Sequence, residues 1–525
     1  MVIVERLEAD VSAGQDGVQH TFQYAIACTF REILRHSKQV RRFVVALLMM
    51  FCAHLALHAA VVEGVVLDEE TGNPLARTQV TLVPLPGTQA ELTDVRTGAR
   101  GSFVILSVMP GWYVVRATRR GYAPAESGQL RAGRPGHAFE VAENRVSGFI
   151  EIKMSHLPAI TGTLLDENGV GMAKWPVHIL STAKPVRHVA QTVTDERGNY
   201  RVGELTPGSY FVRSGPGPLE DGTTLLATYS KNAVEMADAV GTSVHVGETA
   251  HDIVVRPVKG KLLTLTGMLI PVPLQSATLT LVTDTGRQEV GRAFNLATPF
   301  TAREVQPGPV ELIVKGQDQF GKDCGSYTRL TVDKDVTGMR LACAPFGPDS
   351  FSFVGARLRS PATVRRVDLD GASETHPLAT DELLAPGHWE LSVPPGDYYV
   401  VSVRNFGSAA GAHNGEWWGF DASTYTRITV TLSSTPGTIS GVVSTGGNPV
   451  AGAPVFLANS IGSQTWMVRA DPQGNYRFGG LAPGEYSIVS GFDVDMNEVA
   501  WSRKPDTVSV AEGNTSVHAL ELVLP

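Results

Sequence analysis

Apolar and polar residues alternate along most of this chain, in short runs that end in turn residues. In the run at residues 79–83, Val80 and Leu82 alternate with residues of the opposite face, which is the period of a strand with one buried side. Such runs recur, whereas helical periodicity outside the N-terminal segment is confined to short stretches such as residues 232–239. The pattern predicts an all-β protein.

A pair of strands with its turns occurs twice in nearly the same form. Asp195-Glu-Arg-Gly-Asn-Tyr-Arg-Val202 is followed by Leu205-Thr-Pro-Gly-Ser-Tyr210, and the same order returns at residues 471–478 and 481–486. Asp-x-x-Gly is a tight turn that needs positive φ, and Pro-Gly reverses the chain into a second alternating strand. Each copy therefore predicts a β-hairpin with a polar turn at each end.

The Pro-Gly turn marks a longer period. Five of the Pro-Gly turns stand at intervals of about 88 to 100 residues, at Pro110, Pro207, Pro307, Pro395 and Pro483. Four of these turns precede a tyrosine at the same offset, and we expect these tyrosines in the core: Tyr113, Tyr210, Tyr398 and Tyr486. The period fits a seven-stranded sandwich of about 100 residues. We therefore predict five tandem sandwiches, at residues 61–157, 158–258, 259–345, 346–436 and 437–525.

The first, second and fifth of these segments share more than the turn. Each has the motifs x-Gly-x-Val/Leu, Gly-x-x-hydrophobic, Pro/x-Val-x-Leu, Gly-x-Phe/Tyr and Pro-Gly-x-Tyr in one order. This ordered pattern resembles the carboxypeptidase regulatory-like family, whose transthyretin-like modules are also grouped with carbohydrate-binding-like folds. The resemblance implies a seven-stranded, prealbumin-like or immunoglobulin-like sandwich in each segment. It implies no peptidase activity, because in that family the module accompanies a separate catalytic domain.

The third and fourth segments depart from this pattern. The third begins Leu265-Thr-Gly-Met-Leu269 but lacks the Asp-x-x-Gly turn ahead of its Pro-Gly turn and the tyrosine that follows it. The fourth begins Phe353-Val-Gly-Ala-Arg357 and keeps Pro-Gly-Asp-Tyr, without a clear Gly-Asn-Pro turn. We expect diverged sandwiches of the same kind.

Composition narrows the class of protein. Charged residues make up 18% of the 525 residues, and there are 54 glycines and 32 prolines. A turn-rich, lightly charged chain with recurring strand patterns is typical of an extracellular all-β protein, and these patterns disfavour disorder. The net charge is −8 and no basic block follows residue 60, so nucleic acid is not an expected partner.

The N-terminal segment, residues 1–60, indicates export. Basic residues at 35–42 lead into the apolar stretch 43–60, which ends in small residues. This is the pattern of a signal peptide cleaved after Ala59 or Ala60, and it predicts a secreted, periplasmic or cell-surface protein. An uncleaved anchor helix is the alternative, because 18 residues are just long enough to span a bilayer. Any membrane contact is expected only through this segment if it is uncleaved.

Two cysteines remain beyond that segment, Cys324 and Cys343. In an exported chain they form a reasonable disulfide pair, with two buried free thiols as the alternative. Neither cysteine lies in a recognised nucleophile motif, so we do not expect a catalytic thiol.

Candidate chemistry is sparse elsewhere. The fourteen histidines are scattered, and outside the N-terminal segment no metallopeptidase spacing, nucleophile elbow, phosphate loop or Cys-x-x-Cys occurs. Asp493-Val-Asp-Met-Asn497 matches the start of a calcium loop, but Glu498 and Lys504 occupy positions that need glycine and a bidentate carboxylate. A looser calcium site or a solvated acidic loop remains there. We expect no enzyme activity, no cofactor and no metal site.

Residues 413–421 carry the strongest indication of a ligand. Adjacent tryptophans, Trp417 and Trp418, stand in a glycine-flanked stretch expected to form a loop, which would leave at least one of them exposed. An exposed indole beside polar groups suits a sugar ring, and the candidate polar partners are Asn414, Glu416 and Asp421. The alternative is a pair of tryptophans packed over the end of the sandwich or against the fifth segment.

These observations predict a non-catalytic, secreted or cell-surface protein that binds carbohydrate or a cell-envelope polysaccharide. A structural stalk or adhesin-like scaffold with protein partners is the alternative. A second, more remote alternative is an accessory protein associated with a peptidase or another hydrolase.

Overall fold

A computed structural model describes residues 60–524, apart from 144–146, 184–185, 220–222, 271–273, 285, 294–296, 346–349, 371–372, 380–383, 406–412, 415, 423–426, 461–463 and 496–504. Within these residues the helical segments are two 3-10 turns, Ser230–Asn232 and Met236–Asp238, and the remaining regular structure is β. The protein is all-β, as the alternation predicts. The predicted signal or anchor, residues 1–59, lies outside the described part.

The strands fall into five consecutive groups, which we call modules one to five. Module one contains β1 (Ala60–Asp68), β2 (Gln79–Pro84), β3 (Thr93–Arg96), β4 (Ser102–Val108), β5 (Gly111–Thr118), β6 (Ala125–Glu126), β7 (Phe139–Val141) and β8 (Ile150–Met154). Its sheets have the strand orders β4-β1-β8 and β3-β2-β5-β6, with β7 paired to β5. Strand β1 runs parallel to β8.

Module two repeats this plan with β9 (Ala159–Leu164), β10 (Pro176–Ser181), β11 (Arg187–Val193), β12 (Asn199–Val202), β13 (Gly208–Ser214), β14 (Gly217–Pro218), β15 (Thr224–Leu225), β16 (Thr242–Val244) and β17 (Thr249–Val255). Its main sheets are β12-β9-β17 and β11-β10-β13-β16, with β14 and β15 forming a two-stranded sheet. The first strand of the module is again parallel to the last.

Modules three and four are also pairs of sheets. Module three contains β18 (Leu263–Ile270), β19 (Leu274–Thr283), β20 (Gly286–Ala293), β21 (Thr298–Val305), β22 (Gly308–Asp318), β23 (Asp323–Val332), β24 (Val336–Ala342) and β25 (Ala344–Pro345). Module four contains β26 (Ser350–Val354), β27 (Thr363–Val367), β28 (Ser373–Pro377), β29 (Gly387–Ser392), β30 (Tyr399–Asn405), β31 (His413–Asn414), β32 (Trp417–Ala422) and β33 (Arg427–Ser433). Their sheets are β21-β18-β24 with β20-β19-β22-β23-β25, and β26-β33-β30 with β28-β27-β29-β32-β31.

Module five contains β34 (Gly437–Thr445), β35 (Asn448–Pro449), β36 (Pro454–Asn459), β37 (Thr465–Arg469), β38 (Asn475–Leu481), β39 (Gly484–Ser490), β40 (Asp506–Val510), β41 (Thr515–Val517) and β42 (Leu520–Glu521). Its sheets are β35-β34-β38, with β41 and β42 also on β34, and β37-β36-β39-β40. No sheet among the described strands mixes two modules. The segment boundaries drawn from the sequence stay predictions.

The tyrosines that follow the Pro-Gly turns are buried, as predicted: Tyr113, Tyr210, Tyr398 and Tyr486. Three of their hydroxyls donate a hydrogen bond to the carbonyl of the residue just before the turn. The acceptors are Thr206 at 2.6 Å from Tyr210, Pro394 at 2.8 Å from Tyr398 and Ala482 at 2.8 Å from Tyr486. Each of these three tyrosines therefore stabilises its own turn as well as filling the core.

A glycine in the first strand of each module, or directly after that strand in module four, explains the x-Gly-x motif. A Cβ atom on it would lie within 2.4 Å of a main-chain oxygen of the neighbouring segment, closer than real Cβ atoms come: Gly64, Gly162, Gly267, Gly355 and Gly441. In modules two and five an aromatic ring crosses above this glycine. Tyr200 reaches over Gly162 to donate to the oxygen of Ile253 at 2.6 Å.

Residues 63–104, 111–140 and 149–525 form one unit, and every contact between modules given below lies inside it. Residues 105–110 and 141–148 belong to a second, smaller unit.

Candidate functional site

The two tryptophans lie in a strand, so the expected loop is wrong. Trp417 and Trp418 begin β32, which pairs with β29 on one side and β31 on the other. Alternation in a strand sends adjacent side chains to opposite faces. Trp418 packs against the hydrophobic core of module four, whereas Trp417 lies on the outer face of the sheet. Both side chains are partly buried.

The polar candidates are only partly gathered around Trp417. Asn414 stands opposite Trp417 in the β31–β32 ladder, and Glu416 is exposed just before the strand. Asp421 lies four residues further along the same face, where its Oδ1 is 2.7 Å from Nδ1 of His388. The role of this group in binding a ligand stays a proposal.

A buried ionic cluster lies beside Trp417. The guanidinium carbon of Arg365 is 3.8 Å from the centre of the Trp417 ring, a cation–π contact. Nε of Arg365 donates to Oε2 of Glu390 at 2.6 Å, and this carboxylate is 1% exposed. Nη2 of Arg187, from β11 of module two, donates to the same oxygen at 3.0 Å. The outer face of this sheet is therefore a contact with module two.

Modules three and four meet around another buried carboxylate. Glu311 on β22 is 0% exposed and accepts the hydroxyl of Tyr327 at 2.8 Å and the main-chain N–H of Leu369 at 3.0 Å. Burial raises the pKa of Glu311, although these two hydrogen bonds oppose that shift. Val282 and Ile313 of module three form an apolar cluster with Leu369 of module four.

A second ionic contact reinforces this boundary. Nη2 of Arg287, on β20, donates to Oδ2 of Asp368 at 2.9 Å, and its Nε donates to Asp370 at 2.5 Å. Arg366 of module four donates to the other oxygen of Asp368 at 2.8 Å. Two arginines thus neutralise a carboxylate that is almost fully buried.

Modules two and three are joined by Arg213 and Asp284, whose side chains form an ion pair that is almost fully buried. The ring of Tyr229 lies 4.9 Å from the guanidinium carbon of Arg213. Oε1 of Gln306 accepts the N–H of Ala227 at 2.9 Å. Arg213, Tyr229, Asp284 and Gln306 border a cleft of about 610 Å³ between the two modules.

Modules one and five are joined through Glu126. Its side chain is about one-tenth exposed and binds Arg469 of module five, the N–H of Gly136 at 2.8 Å and Arg116 at 2.8 Å. Burial acts to raise the pKa of Glu126, but the charge of Arg469, with Gly136 and Arg116, outweighs burial and holds it below its usual value. Arg469 also donates to the oxygens of Gly136 at 3.0 Å and Gly452 at 2.8 Å.

The calcium-loop-like sequence that begins at Asp493 contributes to the same contact between modules one and five. Nη1 of Arg134 lies 2.6 Å from Asp495, and Nε of Arg131 lies 3.4 Å from Asp493. Two arginines beside these carboxylates disfavour a bound cation there. Asn497, Glu498 and Lys504 lie outside the described residues.

The disulfide predicted from the sequence is present. Cys324 and Cys343 are bonded with their Cα atoms 5.2 Å apart, and both belong to the core of module three. Elsewhere in the described part of the chain, no three or more histidine, cysteine or acidic side chains converge to hold a metal ion. A helix long and apolar enough to cross a membrane is also absent from the residues that the structure describes.

A family model for the carboxypeptidase regulatory-like domain matches residues 61–141 and 438–522. The chain carries this domain twice. The two carboxypeptidase regulatory-like domains correspond to modules one and five, the pair joined by Glu126 and Arg469. The same resemblance, drawn from motifs for residues 158–258, stays a prediction. No curated protein matches this chain.

Solved structures give only distant similarity. A minor pilin of Streptococcus agalactiae, GBS52, is 13% identical, with 39% of this chain and 96% of that one covered and a TM-score of 0.23. The TIE protein of Bacillus anthracis is 13% identical over 88% and 74%, with a TM-score of 0.19. The shaft pilin SpaA of Lactobacillus rhamnosus GG is 12% identical over 38% and 98%, with a TM-score of 0.22. At these scores we draw no conclusion from them.

Sequence reasoning missed the carboxylates that join modules. Glu390 stands between Trp389 and Leu391 in a strand, where alternation marks it as an outward-facing residue. The side chain of Glu390 does lie on the outward face of its sheet, but another module covers that face. A charged residue flanked by large apolar residues was the only signal in the sequence.

Proposed function

We propose that the protein is a non-catalytic scaffold of the cell surface or exterior whose modules are held in fixed contact by buried ion pairs. The observation that carries this is the Glu126–Arg469 pair, which joins residues 343 positions apart in the chain. Both side chains are about nine-tenths buried there. Independent modules on flexible linkers would leave both side chains hydrated.

Buried ion pairs are better suited to fixing how the modules are arranged than to raising the overall stability of the protein. Desolvation of two charges offsets most of their attraction, so such pairs add little net stability. Removing one partner is costly, because the other charge stays buried without compensation. The pairs therefore penalise any arrangement of the modules other than the one in which they meet.

The same kind of contact recurs at other boundaries. Glu390 of module four meets Arg187 of module two, and Asp284 of module three meets Arg213 of module two. Repetition of one device at several boundaries supports a fixed arrangement of the modules as the function of these residues. The regulatory-like domains, which elsewhere accompany separate catalytic domains, support a non-catalytic role.

A charge reversal in the full chain tests this proposal. Arg469→Glu places two carboxylates against each other and should separate module five from module one. Hydrogen exchange of residues 125–137 should then rise, whereas exchange in β19 and β22 of module three should not change. Unchanged exchange at residues 125–137 would mean that module one does not depend on module five.

Carbohydrate binding at Trp417 is the second candidate. The guanidinium of Arg365 lies over the ring of Trp417, which stays partly exposed, with the exposed Glu416 next to it and the exposed Asp421 four residues further along the strand. A partly exposed indole with polar neighbours is suited to stacking on the C–H face of a sugar. Secretion or display at the cell surface, predicted from residues 35–60, would bring it to envelope polysaccharides.

A glycan array with the full chain tests this candidate. Wild-type protein should bind a defined set of glycans, and Trp417→Ala should abolish that binding. Val401→Ala, an exposed apolar position elsewhere in module four, is the control and should bind like wild type. Absence of binding by the wild-type protein would remove carbohydrate as a ligand and leave the scaffold proposal intact.

A further inference from the structure

Two histidines of module two form a pair, His178 buried and His188 partly buried. His178 on β10 is 5% exposed, and its Nδ1 lies 3.1 Å from Nε2 of His188 on β11. One imidazole nitrogen must accept the hydrogen in such a contact, and a protonated imidazole has no acceptor nitrogen. The pair therefore keeps its hydrogen bond only while at least one ring is neutral.

The pair lies where modules two, three and four meet. Arg213 stands opposite His178 in the β10–β13 ladder. The negative charge of Asp284 in module three interacts with both histidines and acts to raise the pKa of each. The negative charge of Asp370 in module four acts in the same way on the pKa of His188. The groups that face the pair are thus one arginine and two carboxylates.

Both carboxylates already have a cationic partner. Asp284 pairs with Arg213, and Asp370 pairs with Arg287 at 2.5 Å. A proton added to His178 therefore introduces a positive charge into a buried site whose opposite charges are largely balanced, and one added to His188 introduces it at the edge of that site. The neighbouring Arg187, which pairs with Glu390, adds no negative charge to the site.

We propose that the junction of modules two, three and four opens when pH falls below neutral, because protonation of His178 and His188 is incompatible with the hydrogen bond between them and with the burial of His178. The protein would then be rigid near neutral pH and loosened in an acidic environment. The scaffold proposed above does not require this property.

The direction in which pH changes the stability of the closed junction follows from the linkage between protonation and opening. Burial, then the charge of His188, then that of Arg213, lower the pKa of His178 to about 4, against an opposing effect of Asp284. Burial also lowers the pKa of His188. A histidine with a lowered pKa favours the closed junction fully above its ordinary pKa of 6.5, and this contribution is lost as pH falls from 6.5 towards 4.

The expected size of the change in the opening equilibrium can be calculated from His178 alone. With a pKa of about 4 when closed and 6.5 when open, the opening equilibrium constant rises about thirtyfold between pH 7.5 and 5.0. Ordinary carboxyl groups titrate near pH 4, so most of them remain ionised at pH 5.0.

Hydrogen exchange of the full wild-type chain at pH 7.5 and 5.0, corrected for the intrinsic exchange rate, tests the proposal. Protection of β10, β11 and residues 283–287 should fall by at least tenfold at pH 5.0, while the β36–β39 ladder of module five keeps its protection. Equal protection of the junction at both pH values would overturn the proposal without any variant.

The double variant His178→Gln/His188→Gln assigns the effect to the pair, since glutamine donates and accepts but does not protonate in this range. Its junction should show the same protection at both pH values. His245→Gln, an exposed histidine of module two, is the control and should behave like wild type. If the double variant opened between pH 7.5 and 5.0 as wild type does, the histidines would not be the sensor. A variant that failed to fold would leave the wild-type measurement to decide.

Discussion

The hydroxyl of Tyr476 donates a hydrogen bond to the main-chain oxygen of His518 at 2.6 Å, across the position of Gly441. Strand β34 lies between the strand that carries Tyr476 and the segment that carries His518. The phenol can cross it only where the intervening residue has no side chain. Tyr200 and Ile253 repeat the arrangement over Gly162 in module two. The glycine and the tyrosine of two separate sequence motifs therefore form one structural unit.

Gly441→Ala should destabilise module five strongly. The new Cβ would lie 1.7 Å from the oxygen of His518, so the strands must separate. We expect a loss of about 3 kcal/mol or more, in the range of severe backbone and packing changes. Equilibrium unfolding in denaturant measures it.

The matched control is Gly479→Ala in β38 of the same module, where nothing lies within 4 Å of the added Cβ. It should change stability by no more than about 0.5 kcal/mol. Equal effects of the two substitutions would show that the close approach at Gly441 is not what requires glycine.

Tyr486→Phe should cost about 1 to 2 kcal/mol, because the carbonyl of Ala482 loses its donor while the ring still fills the core. Thermal unfolding of the variant measures this loss. Tyr399→Phe is the control, since that hydroxyl makes only a long contact of 3.4 Å with an exposed carboxylate. A neutral Tyr486→Phe would mean that the hydroxyl does not fasten the turn.

The two tryptophans should differ in stability. Trp418→Ala should cost about 2 to 3 kcal/mol, because it removes an indole packed on the core of module four. Trp417→Ala should cost about 1 kcal/mol, since it loses mainly the contact with Arg365. Chemical unfolding followed by near-ultraviolet circular dichroism compares them. The reverse order would contradict the assignment of the two faces.

Reduction of the disulfide should destabilise module three. The Cys324–Cys343 bond closes a loop of 19 residues, which stabilises by about 3 kcal/mol in the chain-entropy model. Unfolding with and without a reducing agent measures the difference, and Cys324→Ser/Cys343→Ser should match the reduced protein. Equal stability of the oxidised and reduced forms would contradict this expectation.

Local features were predictable because they depend on nearby residues. Period-two alternation identified the strands, and the repeated Pro-Gly-x-Tyr placed Tyr210 and Tyr486 in the core. The family resemblance was visible for the same reason, since its motifs mark turns and close approaches within one module.

The tryptophan pair was misassigned because glycine on both sides of residues 416–418 suggested a loop. Pairing with β29, whose residues lie about 30 positions earlier, supplies the hydrogen bonds that make Trp417–Ala422 a strand. Tertiary pairing overrides such local turn signals.

Contacts between modules were not predictable from the sequence. His178 and Glu390 each follow the alternation of an ordinary strand, and only the position of other modules makes their faces buried. No pattern in the neighbouring residues encodes partners such as Arg187, which lies about 200 positions away from Glu390 in the chain.

The most direct test of the fixed arrangement is a double-mutant cycle on Glu126 and Arg469 in the full chain. Arg469→Met should cost about 2 to 4 kcal/mol, because it leaves Glu126 buried with less compensation. In the double variant Glu126→Gln/Arg469→Met the two losses should not add, with a coupling energy of at least about 1.5 kcal/mol. Additive losses within about 0.5 kcal/mol would show that modules one and five do not hold each other, and would contradict the account.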